Sequence, residues 1–212
     1  MKNLLIQEII RQNKLHHLVK HFFLFILFAL TSTVITHSPD HLQKFGLTLS
    51  IIYIPLFLLS ISYSLIKSEI NDGSLELLLT IKSSFEIVIA KFLALVCNGF
   101  FSFALLSPAI FLFFSPEANL FVIFALCALL TIMLSATLII LIACIQGYFR
   151  NNTNFLTVVI LPLLFPNMIF TGMVIEDPSQ LSFIFIMSGI NLMMVPPILY
   201  LSQYLMDNIY NI

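Results

Sequence analysis

The chain has 212 residues, 60% of them hydrophobic and 9% charged, with nine basic against ten acidic side chains and a formal net charge of -1. An ordinary soluble domain is roughly 45–50% apolar and about 25% charged. This composition therefore excludes a water-covered globular surface, and without a basic excess it gives no footing for nucleic-acid binding. Lipid is the solvent that tolerates exposed Leu, Ile and Phe, so the expectation is an all-α membrane protein, a single domain over residues 1–212.

Taken in chain order, residues 1–17 come first. At helical spacing Leu5, Ile6, Ile9 and Ile10 form an apolar stripe, with Gln7, Glu8, Arg11 and Lys14 on the opposite face. That pattern predicts a helix lying in the membrane interface, stripe in lipid and charges in water; a plain positively charged flank is the simpler alternative. The apolar run that follows lacks a clear small-residue cleavage site, so it is expected to be retained as a first span.

A hydrocarbon core of about 30 Å takes roughly 20 helical residues. Six runs meet this: 22–36, 47–66, 92–115, 119–146, 155–175 and 181–205. Lys2, Arg11, Lys14 and Lys20 precede span one, Lys67, Lys82 and Lys91 lie between spans two and three, and Arg150 lies between spans four and five. Only Lys44 falls in an odd-numbered loop, with Asp40, Glu117, Glu176 and Asp177. Cytoplasmic loops carry the excess of Lys and Arg, which predicts six transmembrane helices with both termini inside.

The segment between spans two and three, residues 67–91, holds seven charges: Lys67, Glu69, Asp72, Glu76, Lys82, Glu86 and Lys91. Asn71-Asp72-Gly73 is turn chemistry. Residues 75–81 can then form a short helix with Asp72 or Ser74 as cap and with Leu75, Leu78 and Leu79 on one face. A short helix of that kind with acidic neighbours suits docking to a partner; a solvated loop fits the same residues. Later in the chain, Pro162 and Pro166 sit four residues apart in span five and predict a kinked or broken helix. Pro108 and the pair Pro196-Pro197 predict similar interruptions in spans three and six.

No Asp, Glu, Lys or Arg falls inside the six runs. Ion-coupled transporters place ionisable groups near the midplane, and an intramembrane enzyme needs a base, nucleophile or metal at depth. Neither a catalytic nor a metal site is expected, and energy for any uphill transport should enter from outside the bilayer. The interior amides Asn98, Gln146, Asn167, Asn191 and Gln203 read as interhelical hydrogen-bonding groups, with the lining of a polar path as the sharper alternative. Cys97, Cys127 and Cys144 lack a paired spacing and read as apolar fillers. The pairs His17/His21 and His37/His41 are each spaced i, i+4, too few donors for a metal motif, although an axial haem contact at the second pair is conceivable. Met168, Met173, Met187, Met193 and Met194 read as flexible packing.

The stretch Asn71-Asp72-Gly73-Ser74-Leu75-Glu76, followed by leucines and ending in Ala90-Lys91, resembles the loop of the haem exporter protein B family. So do the amphipathic start with Glu8 and Arg11, and the stretch 159–166 with Pro162 and Pro166. The resemblance implies an ABC-2-type permease whose N-terminal helix and loop between spans two and three contact a separate ATPase. Glu69, Asp72, Gly73 and Glu76 match the loop motif and would belong to that coupling region. It also implies a homodimer, a Trp-rich haem-handling membrane partner, haem as candidate substrate with no cofactor held by this chain, and a multi-pass place in the bacterial inner membrane, the mitochondrial inner membrane being the alternative. The chain has no Trp and no Gly-x-x-x-x-Gly-Lys phosphate loop, so it is neither that haem handler nor a P-loop ATPase. The function implied is the permease subunit of an ATP-driven complex for haem delivery in cytochrome c maturation. The alternative is a non-transporting assembly subunit that couples the ATPase to release of a haem-loaded chaperone. One departure stands out: where family members carry prolines after the short helix, this chain has Thr80-Ile81-Lys82-Ser83-Ser84.

Overall fold

The structure, a computed structural model, describes residues 2–15, 18–35, 39–62, 65–149 and 155–209. All regular structure among them is helical: α1 (Lys2–Leu15), α2 (Leu18–Ile35), α3 (Pro39–Ser62), α4 (Lys67–Asn71), α5 (Ser74–Ile81), α6 (Ser84–Phe114), α7 (Ala118–Phe149), α8 (Phe155–Glu176) and α9 (Ser182–Asp207). Among the described residues, four helices are long and apolar enough to cross a membrane, at His41–Leu59, Ser84–Phe114, Ala118–Phe149 and Ser182–Asp207. Two shorter apolar helical stretches, Phe22–Val34 and Pro162–Glu176, overlap the first and fifth predicted spans.

Helix α7 is the centre of the bundle. It packs against α3, α6, α8 and α9, and Phe124, Ala128, Ile132, Leu134, Ala136 and Ile139 are wholly buried. Where α7 passes α4, a Cβ on Gly147 would sit 3.0 Å from both Ile66 and Ile70, so the glycine sets how closely the two helices approach. The outer surface is apolar: Met193 is 80% exposed, Leu192 78% and Phe185 76%. Water would penalise such a surface, whereas hydrocarbon does not. The chain is an all-α membrane protein.

Buried hydroxyls are satisfied mostly within their own helices. Ser50, Ser102, Thr131, Ser135, Thr137, Thr171 and Ser202 each donate to the carbonyl four residues back. Such bonding hides a polar group in an apolar bundle without needing a partner helix.

The prolines do not break their helices. α8 runs unbroken through Pro162 and Pro166, α6 through Pro108 and α9 through Pro196 and Pro197. Pro162 and Pro166 both face outward. In hydrocarbon the alternative to the remaining helical hydrogen bonds is no bond at all, so the helix continues past each missing N–H.

Helix α6 begins eight residues earlier than the apolar pattern predicts. The Ser83 side chain accepts the amide of Glu86 at 3.3 Å, a cap with Glu at the third helical position. The helix ends at Ser115, whose φ of 42° closes it in the left-handed region just before Pro116. Its 31 residues span about 46 Å, longer than a core of about 30 Å. Residues 84–91 therefore extend the helix beyond the apolar run and belong to it, not to a loop.

Candidate functional site

The motif Asn71-Asp72-Gly73-Ser74 is the hinge of a small helical hook. α4 ends at Asp72, and Gly73 takes φ 73°, a left-handed conformation natural to glycine. Asp72 Oδ1 then accepts the Ser74 amide at 3.1 Å and the Ser74 hydroxyl at 2.7 Å, so Asp72 orders the first turn of α5. The predicted apolar face forms: Leu75 is fully buried and Leu78 and Leu79 are half-buried. The opposite face leaves Glu76, Leu77 and Ile81 exposed.

Helix α1 lies beside this hook. A groove of about 410 Å³ runs between them, with Leu4, Gln7 and Glu8 on one wall and Asp72, Ser74, Leu77, Leu78 and Ile81 on the other. The structure thus brings together the two stretches that the sequence separates by some sixty residues. The groove has apolar walls and acidic groups, and is open enough to accept a side chain or short segment from another protein.

Two acidic site residues are buried, one of them, Glu8, against the water-facing placement that helical spacing predicts. Glu8 is 5% exposed, on the face of α1 turned to α6, and Glu69 is fully buried. Both accept from Lys91, at 2.9 Å and 2.7 Å, and the same ammonium donates to the Leu65 carbonyl at 3.3 Å. A charged group that leaves water needs a partner, and here the two acids and the base bury one another. Of the loop residues, Asp72, Gly73 and Glu76 lie at the accessible surface, whereas Glu69 faces inward. Four residues beyond Glu8, Gln12 accepts from Asn98 at 2.6 Å. The Ser84 hydroxyl, at the head of α6, donates to Asp207 of α9.

Lys91 and Gln12 are the residues that a sequence reading misses. The signal was present: Ser83-x-x-Glu86 starts a helix, no breaker follows, and Lys91 is therefore two turns inside it. The side chains of Arg11 and His21, and residues His17, His37 and Arg150, lie outside the described residues.

At the opposite end of the bundle a cavity of about 620 Å³ opens between α3 and α8, with His41, Lys44, Phe45 and Thr48 facing Ile169, Gly172, Met173 and Glu176. The Lys44 ammonium donates to the Glu176 carbonyl at 3.1 Å. No group of three or more metal-binding His, Cys, Asp or Glu side chains occurs among the described residues. Of the interior amides, Asn98 bonds across helices as the sequence predicts. Asn191 donates within its own helix, to Met187, and neither amide atom of buried Asn167 has a partner among the described residues.

The family model described as CcmB protein matches residues 2–197. An uncharacterized protein of Rickettsia prowazekii (strain Madrid E) is 40% identical over 215 residues, covering all of both chains. An uncharacterized protein of Rickettsia conorii (strain ATCC VR-613 / Malish 7) is 38% identical over 206 residues, covering 97% of this chain and 95% of the relative. No solved structure matches. With the match running from α1 through the hook to the middle of α9, the chain belongs to the CcmB family, that of haem exporter protein B, the membrane permease-type component of the haem export system of cytochrome c maturation, a system with an ATPase partner.

Proposed function

We propose that this protein is the permease subunit of an ATP-driven complex in which a separate ATPase docks on the α1–α5 groove. The observation that carries the reading is the groove itself, which joins the amphipathic start of the chain to the Asp72-Gly73 hook. Exposed Leu77 and Ile81 beside acidic Glu76 offer an apolar contact with a charged rim, the anatomy of a specific protein interface. The excess of Lys and Arg in the segments on this side supports a cytoplasmic hook, where ATP is available. The complex sits in the bacterial inner membrane, two copies of this chain facing two ATPase subunits, with a Trp-rich haem-handling membrane protein beside them. ATP binding draws the ATPases together and moves the hooks.

The product of that motion is either haem carried across the bilayer or a haem-loaded chaperone released from the complex. The packed interior of α7 and the absence of Asp, Glu, Lys and Arg from the six apolar runs are compatible with both. Reconstitution in vesicles with labelled haem separates them: ATP-dependent accumulation supports transport, and chaperone release without accumulation supports the assembly reading.

Docking is tested first by co-purification. Glu76→Lys should lower the ATPase recovered with the protein several-fold, and c-type cytochrome yield with it, while the variant stays in the membrane at normal levels. Undiminished ATPase recovery and cytochrome yield would overturn the assignment.

A further inference from the structure

We propose that Lys91 is a positioning residue of the ATP-driven step, the joint through which movement of the groove reaches the long helix α6. The proposal rests on the docking of an ATPase at that groove. Its ammonium, fully buried, is held at 2.9 Å by Glu8 of α1, at 2.7 Å by Glu69 of α4 and at 3.3 Å by the Leu65 carbonyl just ahead of α4. Two segments distant in sequence, α1 and residues 65–69, thus converge on one cation of α6.

The placement is what makes this a joint. Glu8 forms part of the groove wall and, at the same time, one side of the buried cluster. Lys91 lies seven residues, about 10 Å, along α6 from Ser84, in the end that projects beyond the apolar run. Force applied to α1 or to the hook is received by α6 at this point. A second bond along the same seam, from Asn98 to Gln12, ties α1 to α6 four residues further along α1. The Ser84–Asp207 bond extends the connection from α6 to α9.

The chemistry argues against a purely structural role. Taking an ammonium and two carboxylates out of water costs most of what their attraction returns, and apolar side chains of similar size usually hold helices together at least as well. Leu, Ile and Phe are abundant throughout this chain, and the seam could have been built from them. What an ion cluster adds is geometry: it fixes three helices in one arrangement and permits a discrete second one, as a transmitted conformational change requires.

The test uses the full-length protein co-expressed with its ATPase partner in cells that make c-type cytochromes. Lys91→Met alone strands two buried carboxylates, so it is paired with the neutral triple variant Glu8→Gln, Glu69→Gln, Lys91→Met and with the conservative Lys91→Arg. The triple variant should reach the membrane, unfold at the same or higher detergent denaturant and retain as much ATPase as Glu8→Gln alone, the control for the groove wall, yet lose c-type cytochrome roughly tenfold beyond that control. Lys91→Arg should recover a large part of the yield. A triple variant with normal cytochrome yield overturns the joint while leaving ATPase docking intact. A triple variant that is unstable, or that loses more ATPase than Glu8→Gln alone, assigns the cluster to structure and overturns it as well. Failure of the unaltered protein to retain the ATPase would overturn the docking reading first, and the joint with it.

Discussion

Asn98 of α6 donates its side-chain amide to Gln12 of α1 at 2.6 Å, and both residues are almost entirely buried. The bond ties the N-terminal helix to a span helix at a depth where neither group has water as a substitute. Replacing Asn98 with Leu should cost about 1 kcal/mol, because Gln12 is left as an unpaired buried amide. Replacing both with Leu should recover most of that loss. Unfolding in mixed detergent micelles measures the difference, and a double variant weaker than the single one would contradict this account.

Gly73 tests the hook without touching any packing. Its φ of 73° lies where a Cβ is strained, yet no atom lies within 4 Å of the Cβ position. Gly73→Ala should therefore cost about 1 kcal/mol from backbone strain alone, and Gly73→Asn should cost less because Asn tolerates this region. Proteolytic cleavage between α4 and α5 should follow the order Ala, Asn, Gly, fastest first. Equal rates for all three would mean that the turn is not maintained by its left-handed residue.

Gly46 and Gly172 should respond to alanine in opposite directions. A Cβ on Gly46 would overlap the Phe114 ring, and Phe114 is buried, whereas a Cβ on Gly172 meets nothing within 4 Å. Gly46→Ala should destabilise by about 1–3 kcal/mol through overpacking of α3 on α6. Gly172→Ala lies in open space inside a helix and should stabilise by roughly 0.5–1 kcal/mol. The same denaturant measurement decides both, and a neutral Gly46→Ala would show that Phe114 yields without cost.

The loop after α8 should be acid-sensitive. The Asp177 carboxylate accepts from the Ser179 hydroxyl at 2.6 Å, from the Gln180 amide at 2.8 Å and from the Ser179 backbone at 3.2 Å. The Ser179 hydroxyl, then the Gln180 amide and the Ser179 backbone, with Lys44 nearby, hold it below its ordinary 3.8. Because the folded value is depressed, the loop's order is fully present above 3.8 and is lost as pH falls through the lower folded value. Amide exchange at Ser179 and Gln180 should accelerate in that acid window, and in Asp177→Asn the acceleration should disappear. A pH-independent difference between the two proteins would refute it.

The loop motif was legible because its parts are local. Asn71-Asp72-Gly73 specifies a turn by side-chain and backbone chemistry within three residues, and Leu75, Leu78 and Leu79 share a face by helical spacing alone. The Lys91 cluster was not legible in the same way. Glu8 reads as the water-facing side of an amphipathic helix, since spacing tells which residues share a face but not what that face meets. Pro162 and Pro166 show a related limit: local chemistry predicts a kink or a break, and in apolar surroundings a continuous helix is cheaper than a broken one.

By itself the sequence determined the solvent and the class of this protein: too few charges for water, apolar helical runs for lipid, and a hook motif shared with one family. These follow from composition and short-range spacing, which require no knowledge of neighbours. Only the tertiary structure decided that Glu8 and Glu69 turn inward to Lys91, and that α1 and α5 enclose a groove. Burial of a charge depends on what another helix offers at that spot, and helices far apart in sequence meet only once the chain has folded.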